Sequence, residues 1–277
     1  MTREKVYYWP LWFSKLLSQK EQKKIKKILP KLQTAQLFLW RALNIYDDFL
    51  DGEGKRAELP RANNYFRRYL EIHYQLNLSS DYYQLFNKVI GNLEKANINE
   101  VLAPKLKIKD GLVTVPKKLP SWKNIINLSD KSLALALGPL ALLSALGYKT
   151  TDQKMKAGLN FFKYALAAKQ LADDSYDWLE DLNHGFITAA NTPILRAAGR
   201  KDIGLDFKNK PEILYLLFAQ ESSPIIIAEI EKFCKKAKQE IKKINKETNN
   251  FLLTKLILPL EKSCRAAEKF TQAALEA

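Results

Sequence analysis

Residues 151–185, TDQKMKAGLNFFKYALAAKQLADDSYDWLEDLNHG, contain no proline. Thr151 and Asp152 suit a helix N-terminus and His184-Gly185 a C-terminus. A helix over the whole stretch would be about 50 Å long at 1.5 Å per residue. Gly158 is its only weak internal position. Leu159, Phe162, Leu166, Gln170, Asp173, Asp177 and Asp181 follow one another at spacings of three and four, which places them on one face. An apolar stripe thus runs into a ladder of carboxylates, flanked by Asp174 and Glu180. Like charges one turn apart destabilise a bare helix. The ladder needs either a counter-charge or, as on many acidic helix faces, simply solvent.

Helical patterning dominates elsewhere too. The sequence has few glycines (10) and prolines (11) among 277 residues, and alternating patterns are nearly absent. With 47% hydrophobic and 11% aromatic residues it can bury a sizeable core. The expectation is an all-α chain forming one helical bundle over residues 1–277, with no repeat or linker that argues for a second domain. The exception is Leu106–Val115, LKIKDGLVTV, which alternates around Asp110-Gly111 and predicts a small β-hairpin inserted in the 98–120 region.

Predicted helices span 18–29, stopped by Pro30, and 31–50, with Leu32, Ala35, Leu39, Ala42 or Leu43, and Tyr46 at helical spacing. Others start at Pro60, near Ser80 and after Ser129 or Asp130, the last kinked at Gly138-Pro139. Further starts fall at Asn191-Thr192-Pro193, Pro211 and Ser223-Pro224, and a final helix covers 252–276. Basic residues exceed acidic ones, 45 to 30, for a net charge of +15. That balance favours anionic partners: nucleic acid, acidic lipid or phosphorylated small molecules. Much of it lies in Lys20–Lys27 and Lys235–Lys246, each of which, taken singly, reads first as a solvated helix face. No zinc-finger spacing accompanies the charge, and no nucleic-acid partner is expected. Two cysteines and two histidines argue against a disulfide framework or a zinc site. The N-terminal segment is too aromatic for a secretory signal, and Leu133–Leu146 is too short for a membrane span. The protein is expected to be cytoplasmic, with peripheral membrane contact open through Tyr7-Tyr8-Trp9.

A second acidic cluster sharpens the first. Asp47, Asp48 and Asp51 end the helix over 31–50, where negative charge opposes the helix dipole unless a cation offsets it. Asp173, Asp174 and Asp177 repeat the same D-D-x-x-D pattern. If the two helices face each other, their carboxylates line one cavity mouth. Dense oxygen-only ligands suit Mg2+, which prefers carboxylates, water and substrate phosphate oxygens. Such ions would neutralise a diphosphate and stabilise it as a leaving group. Lys55, Arg56, Arg61 and Lys131 are the candidate cations for the same oxygens, and the apolar floor below would hold a hydrocarbon.

These motifs resemble the class I isoprenoid synthases, the all-α superfamily of prenyl diphosphate synthases, terpene cyclases and squalene/phytoene synthases. In trans-prenyltransferases the first D-D-x-x-D is followed by Arg-Arg-Gly; here Lys55-Arg56-Ala57 follows, one residue closer. Lys131-Ser132 stands where they carry Lys-Thr. Their second motif, Phe-Gln-x-x-Asp-Asp-x-x-Asp, is matched by Lys169-Gln170-Leu171-Ala172-Asp173-Asp174-Ser175-Tyr176-Asp177. Lys169 replaces the aromatic, and the mid-chain Gly-Gln and the later Lys-Gly-x-Asp are missing. Asp177-Trp178-Leu179-Glu180-Asp181 instead resembles the D-x-x-E-D of squalene/phytoene synthases. The likeness covers roughly residues 30–185.

The resemblance implies a bundle with a central cavity and Mg2+-assisted ionisation of an allylic prenyl diphosphate, followed by attack of an alkene such as isopentenyl diphosphate. It implies that Asp47, Asp48, Asp51, Asp173 and Asp177, with Asp174 and Asp181, hold the metal, three ions when diphosphate is bound. Gln170 would face the cavity and Lys131 would grip the diphosphate. Ala42 and Leu43, lacking the aromatics of short-product enzymes, imply a deeper cavity, although ordinary core packing explains both as well. A homodimer is implied by the relatives alone. The leading expectation is a trans-prenyltransferase. The alternatives are a terpene synthase, cyclising or head-to-head, and a non-catalytic subunit or basic interaction protein on the same fold.

Overall fold

A computed structural model describes residues 3–122, 124–201, 203–245 and 251–276. It is mostly helical, 75% helix and 3% strand, as the all-α expectation required. The chain divides into two compact units, each assembled from separate segments.

The first unit comprises Met1–Val101, Asp130–Lys163 and Lys236–Ile257. It opens with three short helices, α1 (Arg3–Tyr7), α2 (Trp9–Ser14) and α3 (Gln19–Ile25). Ser18 caps α3 reciprocally with Glu21, a capping box that satisfies two otherwise orphaned N–H groups. Next come α4 (Leu29–Leu50), α5 (Leu59–Tyr74) and α6 (Ser80–Val101). Pro30 lies in the first turn of α4, where its missing N–H costs no hydrogen bond, so it helps to start this helix. Leu32, Ala35, Leu39 and Ala42 form the buried face of α4, as their spacing predicted.

After Lys131 the chain makes a tight helical turn over Leu133–Ala136 and enters α7 (Leu137–Ala145). The expected single helix with a Gly-Pro kink is therefore not formed: Gly138-Pro139 falls in the first turn of α7. Every residue from Leu137 to Ser144 is buried, so α7 is a core helix apolar on all sides. Gln36 of α4 is buried with it and donates to the Leu135 carbonyl. A Cβ at Gly138 would come 2.6 Å from Gln36 Oε1, so a larger residue there would displace the Gln36 amide. Trp9 and Phe13 of α2 stack on Phe162, in the first part of α8 (Gln153–Tyr176), at 5.4 and 6.1 Å.

The second unit comprises Leu102–Ser129, Tyr164–Lys235 and Leu258–Ala277. Its hairpin pairs β1 (Lys107–Lys109) with β2 (Leu112–Thr114), Ile108 opposite Val113. Asp110 (φ 52°) and Gly111 (φ 90°) both take positive φ, as a two-residue turn between twisted strands requires. A third strand, β3 (Leu205–Asp206), joins β2. The remaining helices are α9 (Trp178–Asn183), α10 (Thr192–Lys201), α11 (Pro211–Leu217), α12 (Ser223–Ile244) and α13 (Leu258–Glu276). A π-type turn, Phe218–Ser222, links α11 to α12, and another, Leu253–Ile257, precedes α13 in sequence.

The continuous 151–185 helix is corrected by the structure. α8 ends at Tyr176 and α9 begins at Trp178, with Asp177 (φ −94°, ψ 8°) between them. The bend is local, since Asp177 N–H still bonds the Asp173 carbonyl (3.0 Å) and Asp181 N–H the Asp177 carbonyl (2.9 Å). Its cause is Trp178, buried by stacking on Phe218 at 4.5 Å and meeting Tyr215 edge-on at 5.6 Å. Burying an indole stabilises the bend at a point where like charges already weaken the helix. Among the described residues, the helical run Pro211–Ile244 is long and apolar enough by composition to cross a membrane, and 44% of its most apolar window is buried in the protein.

Candidate functional site

The first D-D-x-x-D closes α4. Asp47 and Asp48 occupy its last turn, and Asp51 follows as the capping residue, its N–H bonded to the Asp47 carbonyl at 2.9 Å. All three are exposed. The loop folds back at once: the N–H groups of Glu53 and Gly54 bond the Asp48 carbonyl at 2.9 and 2.6 Å. A Cβ at Gly54 would lie 2.6 Å from the Phe49 backbone, so only glycine permits that close return.

Lys131 supplies the counter-charge. Its Nζ lies 3.7 Å from Asp47 Oδ1 and donates to Glu100 Oε1 at 2.6 Å. It ends a short 3-10 segment, Ile125–Lys131, instead of opening a helix. The ammonium does not neutralise the whole cluster. Partial withdrawal from water, and then the Asp47 charge, push the Asp51 carboxyl up to about 6; Lys131 opposes this, while Glu100 and Glu53 add to it. Tyr46, next to Asp47, donates to Asn63 Oδ1 of α5 at 2.6 Å and ties the end of α4 to its neighbour.

The second motif, in the other unit, repeats the arrangement. Lys169 forms an ion pair with Asp173 one turn on. Asp177 is exposed at the bend, and its carboxyl is raised by withdrawal from water, then by Asp173 and Glu180, with Lys169 opposing. Gln170 donates to Asp174 Oδ1 at 2.8 Å, so its amide is engaged within the motif. Asp181 sits one turn beyond Asp177 on α9.

The two clusters therefore share a design. Each has one lysine against its first aspartate, and in each the third aspartate is held above the ordinary carboxylate range. The remaining basic candidates differ. Lys55 and Arg56 are exposed in the loop after α4, and among the described residues neither forms an ion pair. Arg61 pairs with Glu58 at 3.6 Å. Sequence reading missed Glu100 and the role of Lys169. Glu100 carries no motif, and only the fold brings it to Lys131. Lys169 was visible at one-turn spacing from Asp173, a signal for an ion pair.

Among the described residues, no group of three or more His, Cys, Asp or Glu side chains is arranged to hold a metal ion alone. Mg2+ does not require one, because one or two carboxylates usually bind it together with waters and substrate phosphates. Asp47 with Asp51, and Asp173 with Asp177, are oxygen-only pairs whose mutual repulsion a divalent cation would relieve. The donor chemistry fits Mg2+ bound jointly with a phosphorylated ligand. No protein-family model matches the chain, and no curated protein matches its sequence.

Proposed function

We propose that this protein is a class I isoprenoid synthase that ionises an allylic prenyl diphosphate with Mg2+, acting as a trans-prenyltransferase of the polyprenyl diphosphate synthase kind. The observation that carries this reading is the twice-built D-D-x-x-D, each copy with one lysine and one carboxyl resisting ionisation. A solvated acidic face has no need of Lys131 set beside Asp47. Asp47, Asp48 and Asp51 in one unit, and Asp173, Asp174, Asp177 and Asp181 in the other, would hold the metal ions. Mg2+ supplies charge neutralisation that makes diphosphate a competent leaving group. Lys131, with Lys55 and Arg56, donates hydrogen bonds to the phosphate oxygens, where charge grows as the carbon–oxygen bond lengthens. Isopentenyl diphosphate is the second substrate on this reading.

The test is product analysis with purified protein, Mg2+ and allylic diphosphates of increasing length, with and without isopentenyl diphosphate. Longer diphosphates formed only with isopentenyl diphosphate, and lost in Asp47→Ala and Asp173→Ala, support the transferase. No turnover of any allylic diphosphate by folded protein rejects it.

A second reading, a terpene synthase that cyclises or joins head to head, draws on α9. The bend at Asp177 starts a new helix whose first turn carries Glu180 and Asp181, completing the D-x-x-E-D pattern. Hydrocarbon or alcohol from a single allylic substrate would favour it.

A further inference from the structure

The first three helices present a surface for which the proposed chemistry has no use. Lys5, Tyr8, Trp12 and Lys15 recur at helical spacing, and the bonds Tyr8 N–H to Lys5 carbonyl (3.2 Å) and Trp12 N–H to Tyr8 carbonyl (2.8 Å) keep them on one stripe. Lys5 and Lys15 are exposed. Tyr8 is 40% exposed and stacks on Trp12 at 6.1 Å. The exposed Tyr8 ring, backed by the half-buried Trp12, thus stands between two surface cations.

The next segment extends the positive charge. Lys20, Lys23 and Lys24 on α3, and Lys26 and Lys27 just past its end, are exposed, and among the described residues none has an ion-pair partner. The acid within this run, Glu21, is turned away from them. One of its oxygens accepts from Ser18 N–H (2.8 Å) and Ser18 Oγ (2.6 Å), the other from Tyr148 Oη (2.7 Å) and Lys154 Nζ (3.0 Å). Glu21 is therefore spent on the protein's own interior contacts, and the outer lysines keep an unopposed field.

We infer that residues 5–27, through this aromatic stripe and these lysines, dock on an anionic lipid bilayer. Lysines near a membrane surface are attracted by acidic headgroups, while Tyr and Trp settle at headgroup depth with their rings in the apolar margin and their polar ends in water. The stripe offers both chemistries side by side. Nucleic acid would use the lysines, but the aromatic pair between them favours an interface with apolar depth. The inference does not depend on the proposed enzymatic activity.

The experiment is flotation of the full-length protein with phosphatidylcholine vesicles, with and without phosphatidylglycerol. Binding to the anionic vesicles alone, weakened by salt, is expected. Each lysine at a membrane surface contributes about fivefold, so K23Q/K24Q/K27Q should lower partitioning roughly a hundredfold. Tyr8→Ser should weaken binding at unchanged charge, and K107Q/K109Q/K118Q, of equal charge change elsewhere, should bind like wild type. Thermal melts verify that each variant is folded. No binding to anionic vesicles, equal binding to neutral ones, an equal loss in the Lys107 triple variant, or retention of DNA without vesicle binding overturns the inference.

Discussion

Lys131 donates to Glu100 Oε1 at 2.6 Å, joining residues 31 apart in the chain, while the other Glu100 oxygen is buried with no hydrogen-bond partner. The ammonium also reaches Asp47 at 3.7 Å, so Glu100 fixes it beside the first aspartate motif. Lys131→Ala removes a charged donor from any diphosphate held there. Hydrogen bonds to charged groups contribute about 1.5–3 kcal/mol, so KM for the allylic diphosphate should rise roughly 10- to 100-fold. Lys131→Arg should recover part of that, having charge but a different fork of donors. An unchanged KM in Lys131→Ala would remove this residue from the diphosphate site.

Asp51 provides a pH test. Its folded pKa, about 6, lies above the ordinary aspartate value of 3.8, so the folded state holds the proton more tightly. Between those values Asp51 therefore contributes less stability as pH rises, a small effect for a surface group. Metal binding needs the ionised form, so stabilisation by Mg2+ should grow as pH climbs through about 6. Melting curves with and without Mg2+ and inorganic diphosphate should show a larger shift at about pH 7.5 than at about pH 5. Asp51→Asn should flatten that dependence. The same shift at both pH values in wild type would separate Asp51 from the metal.

Which features were legible depends on the range of the interaction behind them. The buried face of α4 follows from 3.6-residue periodicity, and the hairpin from Asp110-Gly111, both local signals. β3 was invisible because two residues, Leu205 and Asp206, carry no period. Gly158 looked like a weak point in a helix; in the fold a Cβ there would lie 2.9 Å from Leu140 Cδ2 and 3.3 Å from Phe13 Cζ. The bend at Asp177 depends on Phe218, far along the chain, and the Lys131–Glu100 pair joins residues on separate elements. The carboxylates could be read from spacing, but their tertiary counter-charge could not.

His73 predicts acid lability. The Tyr82 hydroxyl lies 2.9 Å from the Leu137 carbonyl and donates its proton there. His73 Nδ1, 3.1 Å from the same hydroxyl, must then carry a hydrogen, leaving Nε2 buried with no partner. Burial pushes the imidazole down from 6.5 to about 3. The unfolded chain takes up a proton that the folded one refuses, so the neutral-imidazole contribution is complete above pH 6.5 and lost as pH falls toward 3. Urea denaturation should show stability declining by up to about 1.4 kcal/mol per pH unit from this group. His73→Leu should have a shallower slope over that window, whatever its stability at neutral pH. Equal slopes would mean that His73 is already protonated or exposed in the native state.

Trp178 holds the joint that carries two of the proposed ligands, since Asp177 precedes it and Asp181 lies within the same short helix. Its ring is nearly parallel to Phe218 (12°) and buried, so truncation leaves a cavity as well as a lost stacking partner. Trp178→Ala should cost about 3–5 kcal/mol, the range for large aromatics removed from cores. Trp178→Phe keeps an aromatic face toward Phe218 and should retain much of the stability. Six residues are too few for an isolated helix, so α9 depends on this packing. If Trp178 positions Asp177 and Asp181, Trp178→Phe should raise the Mg2+ concentration needed for half-maximal turnover while melting close to wild type. Unchanged Mg2+ dependence in a folded Trp178→Phe protein would show that the joint is structural and leaves the second aspartate motif in place without it.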